Sequence, residues 1–311
     1  MKPIIEPIDR QLIEKEFSKD KLIRKTNNGN NEIYIVNAHN APNVMLELGR
    51  VRELTFRAAG GGTGEEVDID EYDTAEVPFE QLIVWNPEDK EIVGAYRFIL
   101  GGNLPFGSDG QPLSPTAHLF KYSEEFIKNY LPYTIELGRS FVQPQYQPSV
   151  NLRKGLFALD NIWDGLGAIV VDNPQIKYFF GKMTMYNSYN RVARDMILYV
   201  LKKYFGCKEN LVIPIENQII NTTIEDLKAI FTGTSFDEDY KILVKQVRLF
   251  NVNIPPLINI YMGLTPTMKC FGTSSNINFG EVEETAIMIT IDDIYENKKE
   301  RHIYSYMQNN K

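Results

Sequence analysis

A handful of charged side chains sit where ordinary surface roles do not fit. Arg97 lies in a strongly apolar, β-rich run, 92–100, and Glu136 and Arg139 lie inside another, 134–142. Charges taken into a strand must be paired, because an isolated buried ion is too costly for a fold to carry. Asp70 and Asp73 are candidate partners for Arg97 and Arg52. Glu136 and Arg139 are three residues apart, so on a regular strand they face opposite ways; either a bulge brings them round or each finds another partner. The chemistry open to such a set is proton transfer by a carboxylate and charge stabilisation by guanidinium groups.

Other chemistries lack their residues. His39, His118 and His302 are remote from one another, and none has a second ligand one helical turn away, which argues against a His/Cys zinc site. Gly138-Arg139-Ser140-Phe141-Val142 fails the nucleophile-elbow pattern at its last position, and there is no P-loop. A His–Asp pair five positions apart, as in glycerolipid acyltransferases, is also missing, since Val44, Ser123 and Met307 occupy those places. The glycine-rich run 60–64 follows a helical segment and leads into acidic residues, the reverse of the order that cradles a phosphate.

Composition narrows the class further. The chain has 311 residues, 43% hydrophobic and 24% charged, which is globular. Its 33 Lys and Arg against 41 Asp and Glu give a net charge of −8, against a general nucleic-acid binder. Cys207 and Cys270 lack metal-ligand spacing and suit a reduced, cytoplasmic chain with both thiols buried. The first 25 residues hold too many carboxylates for a signal peptide. The most apolar stretch, 156–171, is interrupted by Asp160 and Asp164 and cannot span a bilayer.

The elements that must carry the charged set can be read from periodicity. Met45, Leu48, Arg52 and Phe56 recur at helical spacing within 44–59. Two β-rich runs, 81–85 and 92–100, flank Asn86-Pro87-Glu88-Asp89-Lys90 and form an antiparallel hairpin. The stretch 101–116, rich in Gly and Pro, is a loop long enough to be a lid or disordered. Ser123 caps a short helix that Pro132 stops. After the strand 134–142, Leu152, Leu156, Leu159, Trp163, Leu166 and Val170 mark one helix ended by Asn173-Pro174. A strand at 176–185, helices at 188–205, 223–231 and 238–250, a helical turn at Pro255-Pro256 and a strand at 283–291 complete the series. Alternation broken by an early hairpin favours a mixed sheet flanked by helices, in the α/β (α+β) class.

In chain order, Arg52-xxx-Phe56, Asp70-xx-Asp73, Gly94-Ala95-Tyr96-Arg97 and Glu136-Leu137-Gly138-Arg139-Ser140 resemble the GNAT-fold long-chain N-acyltransferases. These include the ornithine-lipid and glycine-lipid synthases, often labelled hemolysin-like. The skeleton is also similar to that of the acyl-homoserine-lactone synthases. The likeness continues through 142–146, 159–166, Phe180-Gly181-Lys182 and Pro255-Pro256-Leu257, covering roughly 45–270.

The resemblance implies a single GNAT-like domain over 1–311, with 186–255 a helical insertion, and a splayed sheet whose open strands hold the pantetheine arm of an acyl thioester. It implies direct transfer to an amine without a covalent enzyme intermediate. An amino acid's amine is protonated near neutral pH and must lose a proton to attack, and Glu136 in its strand is the candidate base. Arg139 and Arg97 join it as catalytic candidates, while Arg52, Phe56, Asp70, Asp73 and Ser140 shape the substrate site. Acetyl-CoA-using members carry a glycine-rich pyrophosphate loop, but Gln147–Arg153 here lacks both glycines. That fits an acyl-carrier-protein phosphopantetheine donor better than acyl-CoA, with no tightly bound cofactor. Arg153, Lys154, Arg191 and Arg194, with Lys182, Lys202 and Lys203, would offer an acidic carrier its basic patch. The expected reaction is acylation of a small amino acid by a long 3-hydroxyacyl chain, giving a lyso-aminolipid. Transient membrane contact would run through Leu104 and Phe106. An autoinducer-type synthase and a non-catalytic carrier- or lipid-binding module are the rivals.

Overall fold

The computed structural model describes residues 1–309. Eight strands form one mixed sheet: β1 (Leu22–Lys25), β2 (Glu32–Val36), β3 (Glu80–Asn86), β4 (Glu91–Leu100), β6 (Thr134–Val142), β7 (Tyr178–Met185), β10 (Val282–Thr290) and β9 (Lys269–Asn276), in that spatial order. Every neighbouring pair is antiparallel except β6 with β7, which run parallel. The remaining strands, β5 (Phe120–Tyr122) and β8 (Val212–Pro214), form a separate ribbon.

The β3–β4 hairpin forms where the turn residues place it. The Asn86 side chain accepts the N–H groups of Glu88 and Asp89, and Lys90 takes φ 56°. Both strands are buried on both faces, so their near-continuous apolar runs serve two cores at once. On one face lie α1 (Arg10–Glu16), α2 (Pro42–Ala58), the single turn α3 (Glu71–Thr74), the 101–131 segment and α4 (Glu124–Asn129). On the other lie α5 (Leu152–Gly155), α6 (Ala158–Asp172), α7 (Arg191–Phe205), α8 (Ile224–Ile230), α9 (Phe236–Arg248) and α10 (Pro256–Met262). The 186–255 stretch thus holds three helices and the short strand β8; the apolar side chains of the helices join the core of α6 and the sheet, while Leu211 and Val212 at β8 join the core on the α4 side.

Several expectations need correction. The single helix expected from Leu152 is broken at 156–157. Gly155 abuts the 147–148 backbone so closely that a Cβ would lie 2.5 Å from the Pro148 nitrogen, fixing α5 on that loop. Leu152 and Leu156, first in the periodic set, consequently stay 69% and 61% exposed. The 101–116 segment is neither disordered nor free. It packs with Leu104 buried, which removes Leu104 from any membrane contact and leaves Phe106 half exposed. Of the two thiols, Cys270 is buried but Cys207 is only partly so. Among the described residues no helix is long and apolar enough to cross a membrane.

Candidate active site

The parallel pair β6–β7 is joined only from Thr134–Tyr178 to Leu137–Gly181. Beyond that point β6 stays paired with β4 as far as Val142, and β7 with β10 as far as Met185. The facing edges 138–142 and 182–185 therefore lack each other as ladder partners, leaving backbone groups free for a ligand at the opening. Gly181 marks where the strands part: a Cβ there would come 2.6 Å from the Leu137 carbonyl oxygen. A small cavity at the opening is lined by Tyr96, Leu137, Phe179, Gly181, Lys182 and Tyr261. The Tyr96 and Tyr261 hydroxyls are hydrogen-bonded to each other, and burial raises both phenols above their ordinary pKa.

A bulge sits on β6 at this opening. Gly138 pairs with Arg97 and Phe141 with Ala95, so Arg139 and Ser140 together oppose the single residue Tyr96. Arg139 takes φ 50°, the left-handed region that costs an L-residue about 1–2 kcal/mol. This geometry places Glu136, Arg97 and Arg139 beside one opening although regular alternation would part them.

On the α2 face, three guanidinium groups and three carboxylates alternate. Arg52 Nη1 lies 3.1 Å from Asp73, and Asp73 lies 3.2 Å from Arg97 Nη1. Arg97 Nη1 also donates to both Asp70 oxygens at 2.7 Å. Arg139 Nη2 lies 3.7 Å from Asp70, and its Nε lies 2.8 Å from Asp68. Asp70 and Asp73 additionally form the capping box of α3, which aims both carboxylates at the arginines. Burial alone would raise the Asp73 carboxyl, but Arg52 and Arg97 outweigh it and hold its pKa well below the carboxylate range. Burial likewise works against the Arg97 charge, and Asp73 and Asp70 overcome it. For Arg52 burial prevails over Asp73 and the pKa falls, with an arginine still charged at any physiological pH.

Glu136 is 1% exposed on the same face. Its Oε1 accepts the Thr116 N–H at 3.1 Å, while its Oε2 has no hydrogen-bond partner among the described residues. An acceptor oxygen left over beside an opening suits a proton arriving with a substrate. Lys182 stands on β7 nearby, donating to the Pro115 carbonyl at 2.8 Å and lying 3.3 Å from Glu284.

The sequence-selected residues divide into two groups. Glu136, Arg97, Arg139, Asp70 and Ser140 gather around the opening. Arg52 and Asp73 have no exposed surface; Asp73 pairs with Arg97 and shares the α3 cap with Asp70, and Arg52 pairs with Asp73. Phe56 is buried edge-on to Phe141 and Phe279, and reaches the site only by supporting Phe279, on which Arg139 stacks at 4.1 Å. The basic patch is smaller than expected. Arg194 is fully buried, 2.6 Å from both Glu283 and Asp195, because its helix face is the core face, and it cannot meet a carrier. Lys182 points inward. Arg153 is exposed, Lys154 binds Asp89 at 2.6 Å, and Arg191 binds Glu283 while staying 44% exposed.

Asp68, Gln81 and Glu284 were missed. Asp68 was hidden in a run of acidic residues that reads as solvated surface. Glu284 had a usable signal, since Glu283-Glu284 opens an otherwise apolar strand. Gln81 accepts from Arg52 and donates to Asp73 at 2.9 Å, and nothing in its local sequence marks it.

Comparison with known proteins adds an independent line. Residues 51–154, from α2 through β6 to α5, match the family described as acetyltransferase (GNAT) domain. The chain is 55% identical over 308 residues to a protein of Bacteroides thetaiotaomicron named glycine N(alpha)-acyltransferase, covering 99% of this chain and 91% of the relative. It is 54% identical over 308 residues to a protein of the same name from Phocaeicola vulgatus, covering 99% and 94%. The mixed sheet opening between β6 and β7 and these near-full-length likenesses agree: the chain is an N-acyltransferase of GNAT fold, and it belongs to the family of these two glycine N(alpha)-acyltransferases.

Proposed function

We propose that this enzyme transfers a long 3-hydroxyacyl chain from acyl carrier protein to the amine of glycine, giving an N-acylglycine lyso-lipid. The observation that carries the acceptor is the near-full-length identity to two enzymes named for glycine. The carrier donor is favoured because 147–153 holds no glycine-rich pyrophosphate loop and ends in the exposed Arg153. Contact with a membrane surface during product release would fall to Phe106, which stays exposed. The enzyme would work in the cytoplasm.

The reaction needs one proton removed before bond formation. Glycine enters as an ammonium, and Glu136 Oε2, directly or through a water, takes a proton from it. The freed amine attacks the thioester carbonyl, and the negative charge that develops on oxygen is met by backbone N–H groups at the parted strand edges. Collapse breaks the C–S bond; the leaving thiolate takes up the second proton that the attacking nitrogen loses, giving the amide and the carrier thiol, and Glu136 returns its proton to solvent. The exposed part of Arg139 and the positive Lys182 suit the acceptor's carboxylate.

The test is lipid mass spectrometry on a host expressing the chain or its Glu136→Gln variant. The expected result is an N-acylglycine that appears with the native chain and falls about 10²–10⁴-fold in the variant. A loss below tenfold in folded variant protein would remove Glu136 as base. A different acylated amino acid would overturn the acceptor.

A further inference from the structure

A second cavity lies on the sheet face opposite the Arg–Asp network. It has a volume of about 410 Å³ and runs between α6, the end of α10 and the segment 294–303. That is within the range of pockets that enclose small ligands. Its walls are Leu159, Trp163, Leu166, Ile260, Leu264 and Ile303. Four polar residues border it: Asp160 is engaged with Arg301 at 2.5 Å, His302 with Asp164 at 2.8 Å and Asn259 with the Tyr240 hydroxyl at 2.6 Å, while Lys298 is exposed at the mouth. A protein interior is normally filled to crystal density, so a hollow this large with mostly apolar walls and its charged groups paired or out at the mouth suits a hydrocarbon occupant.

Its position names that occupant. The inner end is Phe179, which also lines the small cavity where β6 and β7 part. Trp163 sets its ring edge-on to Phe179 at 6.3 Å and at 65° to Tyr261 at 6.2 Å, so the two spaces share a wall of three aromatic rings. The outer end reaches Leu156, the exposed apolar residue that the break between α5 and α6 leaves at the surface. The hollow thus begins behind the aromatic wall of the reaction opening and ends at a greasy rim.

We infer that this groove holds the hydrocarbon tail of the acyl donor and that its depth sets the chain length the enzyme accepts. The inference rests on the proposed long-chain donor, and it adds where that chain lies and what measures it. A thioester at the β6–β7 opening would thread its tail past Phe179 and Trp163 toward Gly263 and Leu156. Each methylene enclosed should then improve kcat/KM about fourfold until the groove is full, the ratio that burying one CH₂ gives.

Two plugs and one reporter test it. A Cβ on Gly263 meets nothing nearer than 3.5 Å, so Gly263→Phe can enter the groove without breaking the backbone. Leu159→Trp narrows it from α6. Each variant and the wild type are assayed with glycine and a graded series of acyl-carrier thioesters, and the ratio of long-chain to short-chain kcat/KM is read within each protein, so any general loss cancels. The plugs should lower that ratio at least tenfold and move the optimum to shorter chains; an unchanged ratio in both folded variants overturns the groove. The reporter separates this from the donor. In Trp85→Phe, Trp163 is the only tryptophan, and a fatty acid brominated along its chain should quench its emission, less so in the Gly263→Phe background. Quenching without long-chain turnover keeps the groove and overturns the donor; turnover of long chains without quenching overturns the groove.

Discussion

Replacing Asp73 by Asn tests whether the alternating charge row is a structural unit. Asp73 has no exposed surface and touches Arg52 at 3.1 Å, Arg97 at 3.2 Å, the Gln81 amide at 2.9 Å and the Asp70 N–H at 3.2 Å. Asparagine keeps the shape but removes the charge, so three guanidinium groups face two carboxylates, and an amide N–H₂ is forced against groups that can only donate. Removing one partner of a buried ion pair costs about 3–5 kcal/mol, and no discount for solvent screening applies to a carboxylate this enclosed. Urea unfolding at pH 7 should show that loss, with Asp73→Asn/Arg52→Met recovering a large part of it by restoring neutrality. The pH dependence has a fixed sign. The Asp73 pKa is depressed in the folded chain, so its contribution is complete above the ordinary carboxylate value of about 3.9 and is lost only as pH falls below it toward the folded value. The stability gap between wild type and variant should therefore stay flat from pH 8 to about pH 5. A loss under about 1 kcal/mol, or a double variant as unstable as the sum of the singles, would refute the reasoning.

Three further outcomes follow from the geometry. Gly181→Ala should destabilise by about 1–3 kcal/mol and depress turnover, since its Cβ meets the Leu137 carbonyl backbone rather than a side chain that can move; unchanged thermal unfolding and kcat would contradict the close approach. Because Arg139 sits at φ 50°, Arg139→Gly should be about 1 kcal/mol more stable to urea than Arg139→Ala while both lose activity, and equal stabilities would count against the left-handed bulge. A thiol-reactive chromophore should titrate Cys207 in the native protein and Cys270 only after denaturation, because burial pushes the Cys270 thiol up to about 11 and removes it from reagent; two equivalents released before unfolding would be the contrary result.

Much of this fold was legible because its signals are local. The β3–β4 turn chemistry, the periodic helix within 44–59 and the Asn173-Pro174 stop each act within a few residues. The charged set was legible for another reason: Arg97, Glu136 and Arg139 interrupt apolar strands, which is conspicuous in one dimension. What was hidden depends on distant partners. β9 reads KCFGTSSN, poor in strand formers, and is extended because β10 pairs with it along an edge. The two short strands at 22–25 and 32–36 carry too few residues to show a period. Arg194 looks solvated when only the sign of its helix is counted, and Glu283, 89 positions later, is what takes it inside. The glutamate-and-arginine quartet Glu47-Leu48-Gly49-Arg50 recurs as Glu136-Leu137-Gly138-Arg139, once in α2 and once in β6, so identical residues follow their surroundings.

The bond from Thr116 to Glu136 has a thermodynamic corollary. Two contacts tie the 114–116 turn to the sheet, the Thr116 N–H on Glu136 and the Pro115 carbonyl on Lys182, and both end on groups flanking the reaction opening. The order of that turn and the occupancy of the opening are therefore linked functions. A ligand that recruits Glu136 Oε1 or the Lys182 ammonium must release the turn, and one that uses only Oε2 leaves it fastened. By reciprocity, whatever frees the turn alters affinity at the opening by the same factor. Amide exchange at Thr116 thus tells a ligand that takes Oε1 or the Lys182 ammonium from one that uses only Oε2, without observing a single turnover.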